Sequence, residues 1–364
     1  MLTTLSNEIP DAVTPLSGGQ TRLRLRIPYE EPDSQLHSFA AGLTSLTSFP
    51  FTHLTNPRSI VDSPAVLNFA NMSPALVSDL AVSRDAPEPD HSDAAGLSAE
   101  KLFRLRDRTV MITGAGRGLG LNLAYAILET GADVCCLDVL QEPDSEEWAT
   151  AKKIAGARNL HISYDRCDIT DEASVEQLIK AKSEEARSRG KPMRGLVNSA
   201  GIQQMEDALD YPMDGFRRMM EVNVTGSYII AKQFARAMVA QKSGASIVLI
   251  ASMSGNIANR GLHCSAYNTS KGAVHQMCRS LAYEWGEHGI RVNTLSPGYI
   301  RTAMTDALLQ AKPEVEKQWM AGALLGRFGA PEDFRAPTIF LLADGASFMT
   351  GTDLRVDGGH CATA

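Results

Sequence analysis

At 364 residues the chain has room for one large domain or two ordinary ones. With 44% hydrophobic and 21% charged residues its composition is that of a soluble globular protein, and no run of 18 or more apolar residues is present to span a membrane. A net charge of −7 and a pI near 5.7 argue against nucleic-acid binding, which usually carries a basic stripe. All six cysteines lie at or beyond Cys135, with no C-x-x-C or His/Cys ligand spacing. Neither a metal site nor a disulfide framework is expected, and a reducing compartment, the cytoplasm, fits best.

Residues 1–97 differ in kind from the rest. They hold ten of the seventeen prolines, no lysine, five arginines and eleven acidic residues, so most of the net charge sits there. Apolar stretches are short and broken, with neither a 3.6- nor a 2-residue period. This composition predicts a low-complexity, largely disordered N-terminal extension. A mitochondrial presequence is the alternative, opposed by Glu8, Asp11 and the acidic cluster Glu30-Glu31-Pro32-Asp33. The alternating Arg22, Arg24 and Arg26 are read as a short strand or an interaction motif.

From Leu102 onward, apolar strand-like runs alternate with amphipathic helix-length segments. Strands are predicted at Val110–Thr113, Ala132–Leu137, Leu160–Tyr164, Gly195–Val197, Ser246–Ala251, Arg291–Ser296 and Leu354–Val356. Helices are predicted at Leu121–Glu129, Ser174–Ser188, Met213–Met238, Tyr267–Trp285 and Pro331–Leu342. Strand–helix alternation predicts an α/β fold, a Rossmann-type doubly wound parallel sheet in a single domain over residues 98–364. Ligands then belong at the carboxyl ends of the strands.

The first strand runs into Thr113-Gly114-Ala115-Gly116-Arg117-Gly118-Leu119-Gly120, which opens a helix. A glycine-rich strand-to-helix turn lets the backbone approach a pyrophosphate, which then meets free N–H groups and the positive end of the helix dipole. Asp138 ends the second strand about twenty residues on, where a carboxylate accepts hydrogen bonds from a ribose 2′-hydroxyl. At an effective dielectric near 20 it would repel a 2′-phosphate by about 4 kcal/mol per charge pair at ~4 Å. NAD is therefore preferred; NADP stays open through Arg117, which has the reach to meet a 2′-phosphate. Asp168 and Ile169 after the third strand are placed at the adenine edge, Asp168 having an equal structural role as a helix-start residue. Asn198, Ala200 and Gly201 follow the fourth strand, where small residues permit close approach. Pro297, Gly298, Ile300 and Thr302 follow the sixth and would face the nicotinamide.

Tyr267 and Lys271 stand four residues apart and so share one helix face. Hydride transfer to a carbonyl leaves an alkoxide, so a proton donor is needed. Tyr267 can serve if its pKa falls from about 10, and an ammonium about 4 Å away supplies roughly three pKa units. Ser252 and Ser254, in Ala251-Ser252-Met253-Ser254-Gly255, both offer a hydroxyl to hold the substrate oxygen. Asn223 is an awkward mid-helix residue, read either as the holder of a water leading to Lys271 or as a satisfied helix position.

These motifs, with the terminal Thr350-Gly351-Thr352 and Val356-Asp357-Gly358-Gly359, resemble the short-chain dehydrogenase/reductase family from about residue 100 to the end. The resemblance implies a catalytic tetrad of Asn223, Ser252, Tyr267 and Lys271. The usual serine lies thirteen residues before the tyrosine, which selects Ser254. The phrase Ser-Met-Ser-Gly with its longer spacing resembles the fungal polyol dehydrogenase and carbonyl reductase branch, the mannitol, sorbose and arabinitol enzymes, which selects Ser252; Gly255 supports that choice. Ser199 stands where the family more often has a second Asn. The implied activity is interconversion of a secondary alcohol and a ketone, most simply a polyol–ketose pair. A larger hydrophobic ketone of secondary metabolism is the alternative substrate, because Met304, Leu308, Leu309, Trp319 and Met320 are apolar. A nucleotide-binding regulatory protein without catalysis is the alternative of another class. The resemblance also implies a homotetramer, with Tyr228, Phe234, Met238, Met277 and Trp285 on the outer helix faces.

Overall fold

The structure is a computed structural model; it describes residues 98–301, 305, 309 and 313–362. The expectation for residues 1–97 therefore lies outside the described residues, as does Thr302.

Seven parallel strands form one sheet: β1 (Thr109–Thr113), β2 (Asp133–Asp138), β3 (Ile162–Arg166), β4 (Met193–Asn198), β5 (Ala245–Ile250), β6 (Ile290–Pro297) and β7 (Asp353–Val356). Their order is β3-β2-β1-β4-β5-β6-β7. Every predicted strand is present within a few residues, in the doubly wound arrangement expected. Parallel strands are covered on both faces, so both residue parities must be apolar. In β1, Met111 packs into one core with Cys135, Leu137, Leu196, Ile247 and Phe234. Val110 and Ile112 pack into the other with Val134, Cys136, Val197, Val248 and Leu341. Strand order reverses between β1 and β4, and that switch point is where a crevice opens at the carboxyl ends.

The helices are α1 (Ala99–Leu102), α2 (Gly118–Glu129), α3 (Ser145–Ala157), α4 (Glu172–Ser188), α5 (Met213–Met220), α6 (Ser227–Gln241), α7 (Ser265–Trp285), α8 (Pro313–Gly322) and α9 (Arg335–Leu342). The short α1, α3 and α8 are not among the helices expected from the sequence. In α3 only Ala151 and Ala155 are fully buried, with Trp148 and Ile154 half-buried against the second core. The signal that was available is its cap: Asp144 Oδ1 accepts from the Glu146 and Glu147 amides at 3.1 and 3.0 Å. The single helix expected over Met213–Met238 is interrupted by a π-helical turn at Glu221–Gly226, which holds Asn223. Pro331–Phe334 forms a 3₁₀ turn leading into α9.

Two outward-facing assignments fail. Phe234 and Met238 are buried in the first core, because α6 turns them onto the sheet. Met277 and Trp285 are partly buried against the same core, and Tyr228 is exposed as expected.

Candidate active site

The glycine turn joins β1 to α2 and lies against β4. Gly114 has φ +65, and a Cβ there would sit 2.7 Å from the Ala200 amide nitrogen; at Gly120 it would sit 2.2 Å from the Gly114 carbonyl oxygen. Only glycine fits at either place. Gly116 packs on Asp138: its N–H donates to Oδ2 at 2.8 Å, and a Cβ would meet the carboxyl at 3.0 Å. Asp138 Oδ1 accepts from Leu140 N at 3.1 Å. A carboxylate thus stands at the end of β2 beside the turn, where the sequence put it. Arg117 between Gly116 and Gly118 is exposed, and its side chain has no partner among the described residues. Leu119 lies partly buried against the second core.

Two residues that the sequence assigned to ligand contact are engaged internally. Asn198 is buried; its Oδ1 accepts from Thr113 Oγ1 at 2.6 Å and its Nδ2 donates to Ser227 Oγ at 2.7 Å. Thr113 Oγ1 also accepts from Ala200 N at 3.2 Å. Thr113, quoted with the turn but given no role, therefore ties β1 to β4 and fixes the wall at Ala200 and Gly201. Ile169 points into the first core, where it packs on Gly226, leaving only its backbone available. Asp168 accepts from Thr170 N and Oγ1 at 3.0 and 2.7 Å. The helix-start role considered for it belongs to Asp171, which caps α4 through Ser174 N at 3.1 Å. Hydrogen bonds from Thr170 hold the Asp168 carboxyl below its usual range, against the push of burial.

Past the sixth strand, Gly298 N donates to Val356 O at 3.0 Å, and a Cβ on Gly298 would sit 2.7 Å from Asp357 Cα. Pro297 and Gly298 are thereby held against β7, and Ile300 packs on the second core.

The catalytic candidates converge from three elements. Tyr267 and Lys271 come from α7, Ser252 from the end of β5, and Asn223 from the π turn. Lys271 is buried; its Nζ donates to Ile250 O at 2.8 Å and lies 5.6 Å from the Tyr267 ring centroid. Burial pushes its ammonium down to about 8. Burial pushes the Tyr267 phenol up to about 12, with the Ser252 hydroxyl beside it pulling the other way. The ring is partly exposed, which moderates that push. Desolvation dominates at the phenol, and the Lys271 ammonium is turned to the Ile250 carbonyl.

Ser252 Oγ accepts from Ser254 N at 3.1 Å, so the two serines sit at opposite ends of one tight turn. Ser252 is the one beside the phenol. Asn223 is fully engaged: Oδ1 accepts from Ile202 N at 2.8 Å, and Nδ2 donates to Ile202 O at 2.9 Å and Ser270 Oγ at 3.0 Å. It clasps the segment leaving β4 rather than reaching toward Lys271. A Cβ on Gly201 would nonetheless stand 3.3 Å from Asn223 Oδ1 and 3.7 Å from Lys271 Nζ, so glycine there lets these groups gather.

Beyond the tyrosine lies an aromatic wall that the sequence showed only in part. Tyr299 stacks on Trp319 with centroids 3.9 Å apart, and Phe328 meets Trp319 edge-on. Asn259 Nδ2 donates to the Tyr299 hydroxyl at 3.1 Å, and Asn268, next to Tyr267, donates to Asn259 Oδ1 at 3.2 Å. Leu309 is buried with Trp319; Met304 and Leu308 lie outside the described residues. Among the described residues no helix is long and apolar enough to cross a membrane, and no cluster of three or more His, Cys, Asp or Glu is arranged to hold a metal.

A family model described as enoyl-(acyl carrier protein) reductase matches residues 114–361. The chain is similar to a short-chain dehydrogenase/reductase notP′ of Aspergillus versicolor, 47% identical over 76% of this chain and 94% of that protein. It is similar to the galactitol 2-dehydrogenase (L-tagatose-forming) of Cereibacter sphaeroides, 40% identical over 71% of this chain and 97% of that protein. Among solved structures, a gluconate 5-dehydrogenase from Burkholderia cenocepacia J2315 in complex with NADP and tartrate matches with a TM-score of 0.64 and 29% identity, over 73% of this chain and all of that one. The chain belongs to the short-chain dehydrogenase/reductase family, and is an oxidoreductase of the alcohol–ketone class.

Proposed function

We propose that the chain interconverts a secondary alcohol and a ketone with NAD(H), and that its substrate is a polyol–ketose pair of the arabinitol or mannitol type. The observation that carries this reading is the meeting of Tyr267, Lys271 and Ser252 at one end of the sheet, next to the glycine turn. The turn and Asp138 fit a dinucleotide. Glycine is required at 114 and 120 for close approach, and a carboxylate closes the ribose end. Gly114, Gly116, Gly118, Leu119, Gly120, Asp138, Ala200 and Gly201 would hold it. The nicotinamide supplies the hydride acceptor or donor. Ser252 holds the substrate oxygen, Tyr267 exchanges its proton with that oxygen, and Lys271 favours the charged phenol by its ammonium. NADP in a related dehydrogenase shows that relatives of this fold take the phosphorylated form; the case for NAD here is the charge of Asp138.

The galactitol 2-dehydrogenase relative supports a polyol. One observation favours the second reading, a larger apolar ketone: the stacked Tyr299–Trp319 pair with Phe328 and Leu309 offers flat apolar surface. The test is an assay of the purified chain with NAD and NADP across arabinitol, mannitol, galactitol and sorbitol. NAD-dependent oxidation of at least one polyol is expected. Turnover of bulky aryl ketones alone would favour the second reading. Nucleotide binding without turnover of any alcohol or ketone would favour a regulatory protein.

A further inference from the structure

Gly118 opens α2 with φ +59, and a Cβ there would meet nothing within 4 Å. Glycine is needed at this position for its backbone angle, not for space. The first amides of a helix have no acceptor within it. The Gly118 N–H donates instead to Oε2 of Glu147 at 3.0 Å, across from the first turn of α3. The same end of α3 is joined once more to the loop and once to α2. Asp144 N donates to Gly116 O at 2.8 Å, and the Glu147 carbonyl accepts from the Tyr125 hydroxyl of α2 at 2.7 Å. Gly116 N is taken by Asp138. The glycine turn is therefore held on two sides, by Asp138 at Gly116 and by α3 at Gly116 and Gly118. The bond to Glu147 is charge-assisted, roughly twice as strong as a neutral one.

We propose that Glu147 is a positioning residue for the nucleotide: its carboxylate holds Gly118 in the left-handed conformation and so presets the turn before the cofactor arrives. This rests on the reading of the turn as the dinucleotide site. Glu147 touches neither Ser252, Tyr267 nor Lys271, so its loss raises the cost of ordering the turn on binding and leaves the chemical step alone. A Gln keeps an acceptor at the same reach; an Asp keeps the charge but is one methylene short.

The experiment compares wild type with Glu147→Ala, Glu147→Asp and Glu147→Gln. NADH affinity is measured by fluorescence titration, and amide hydrogen exchange of residues 114–120 is followed without nucleotide. Ala and Asp should each weaken NADH binding about tenfold and raise the KM for NAD with kcat within twofold. The same two should speed exchange at Gly118. Gln should stay within threefold of wild type in all three. Unchanged NADH affinity in Ala and Asp overturns the proposal, as does a Gln variant no better than Ala. Should Ala fail to fold, Asp against Gln decides. A wild-type chain that binds neither NADH nor NADPH refutes the cofactor reading, and the exchange comparison then decides whether Glu147 holds the turn.

Discussion

Burial drives Lys271 and Tyr267 toward their uncharged forms, Lys271 down to about 8 and Tyr267 up to about 12. Below about pH 8 the ammonium and the phenol are both protonated, the state that ketone reduction needs from an acid. Above about pH 8 Lys271 loses its proton while Tyr267 keeps its own, so any break in kcat/KM near pH 8 should come from the lysine and vanish in Lys271→Met; a break that survives in the variant would contradict this. The same depression has a signature in stability. Between pH 8 and the ordinary value of 10.5 the unfolded chain holds the Lys271 proton that the folded chain has lost, so the Lys271 contribution to stability rises with pH across that window. The gain is on the order of 3 kcal/mol. Lys271→Met should abolish that rise in denaturant titrations run at pH 7 to 10. For the serines, Ser252→Ala should lose on the order of 10²-fold in kcat, as a lost oxyanion donor does, and Ser254→Ala much less. Comparison of the two variants under saturating substrate decides between the fifteen- and thirteen-residue spacings. Asp138→Ala should erase an NAD preference of at least about tenfold in kcat/KM, the outcome that repulsion of a 2′-phosphate requires. Equal use of both cofactors by wild type would assign the decisive role to Arg117. The placement of Tyr267, Lys271 and Asp138 near the ends of their elements was legible because each is tied to a motif of fixed spacing. The direction of the Tyr267 shift was not, since spacing gives proximity but carries no measure of desolvation.

At the scale of elements, the strands were legible because a sheet covered on both faces writes continuous apolar runs. Asp133-Val134-Cys135-Cys136-Leu137-Asp138 is a clear case, its alternate residues going to opposite cores. Helix α3 was not, since only Ala151 and Ala155 are fully buried along it, with Trp148 and Ile154 half-buried beside them among charged neighbours. Nor was the π turn at Glu221–Gly226, whose extra residue leaves no trace in the apolar period. The turn carrying Ser252 is set by packing on α7. A Cβ on Gly255 would sit 2.7 Å from both His275 Nδ1 and the Lys271 carbonyl carbon. The ring cannot easily yield. His275 Nε2 lies 2.8 Å from Ser296 Oγ, and that hydroxyl gives its one proton to Asp353 Oδ1 at 2.5 Å. Nε2 is then the protonated nitrogen, and His275 is fixed between α7, β6 and β7. Gly255→Ala should therefore cost about 1–3 kcal/mol of stability by overpacking and lower kcat at least about tenfold by shifting Ser252. Thermal melting and saturating kinetics check both halves; a fully active, wild-type-stable variant would show that the turn adapts.

For the whole molecule, the question is how much of the chain the enzyme needs and how many copies assemble. The family match begins at residue 114, and the Aspergillus versicolor and Cereibacter sphaeroides relatives are covered over 94% and 97% of their own lengths by 76% and 71% of this chain. Every candidate site residue lies beyond Thr113. Large side chains stand open on the helices that carry the site: Tyr228 and Val239 on α6 and Tyr283 on α7. These replace Phe234 and Met238, which the core uses, as the surface expected to meet another subunit. Burying such side chains is worth roughly 1.5–3 kcal/mol each when fully covered, enough for a few of them to hold an interface at micromolar concentration. A chain beginning at Ser98 should therefore form a homotetramer with kcat within about twofold of the full chain, measured by light scattering on a sizing column and by steady-state assay. Tyr228→Glu with Tyr283→Glu should break that tetramer, because a carboxylate cannot be buried there unpaired. A truncated chain that precipitates or loses activity would make residues 1–97 part of the working enzyme. A tetramer that survives both glutamates would move the interface to another face.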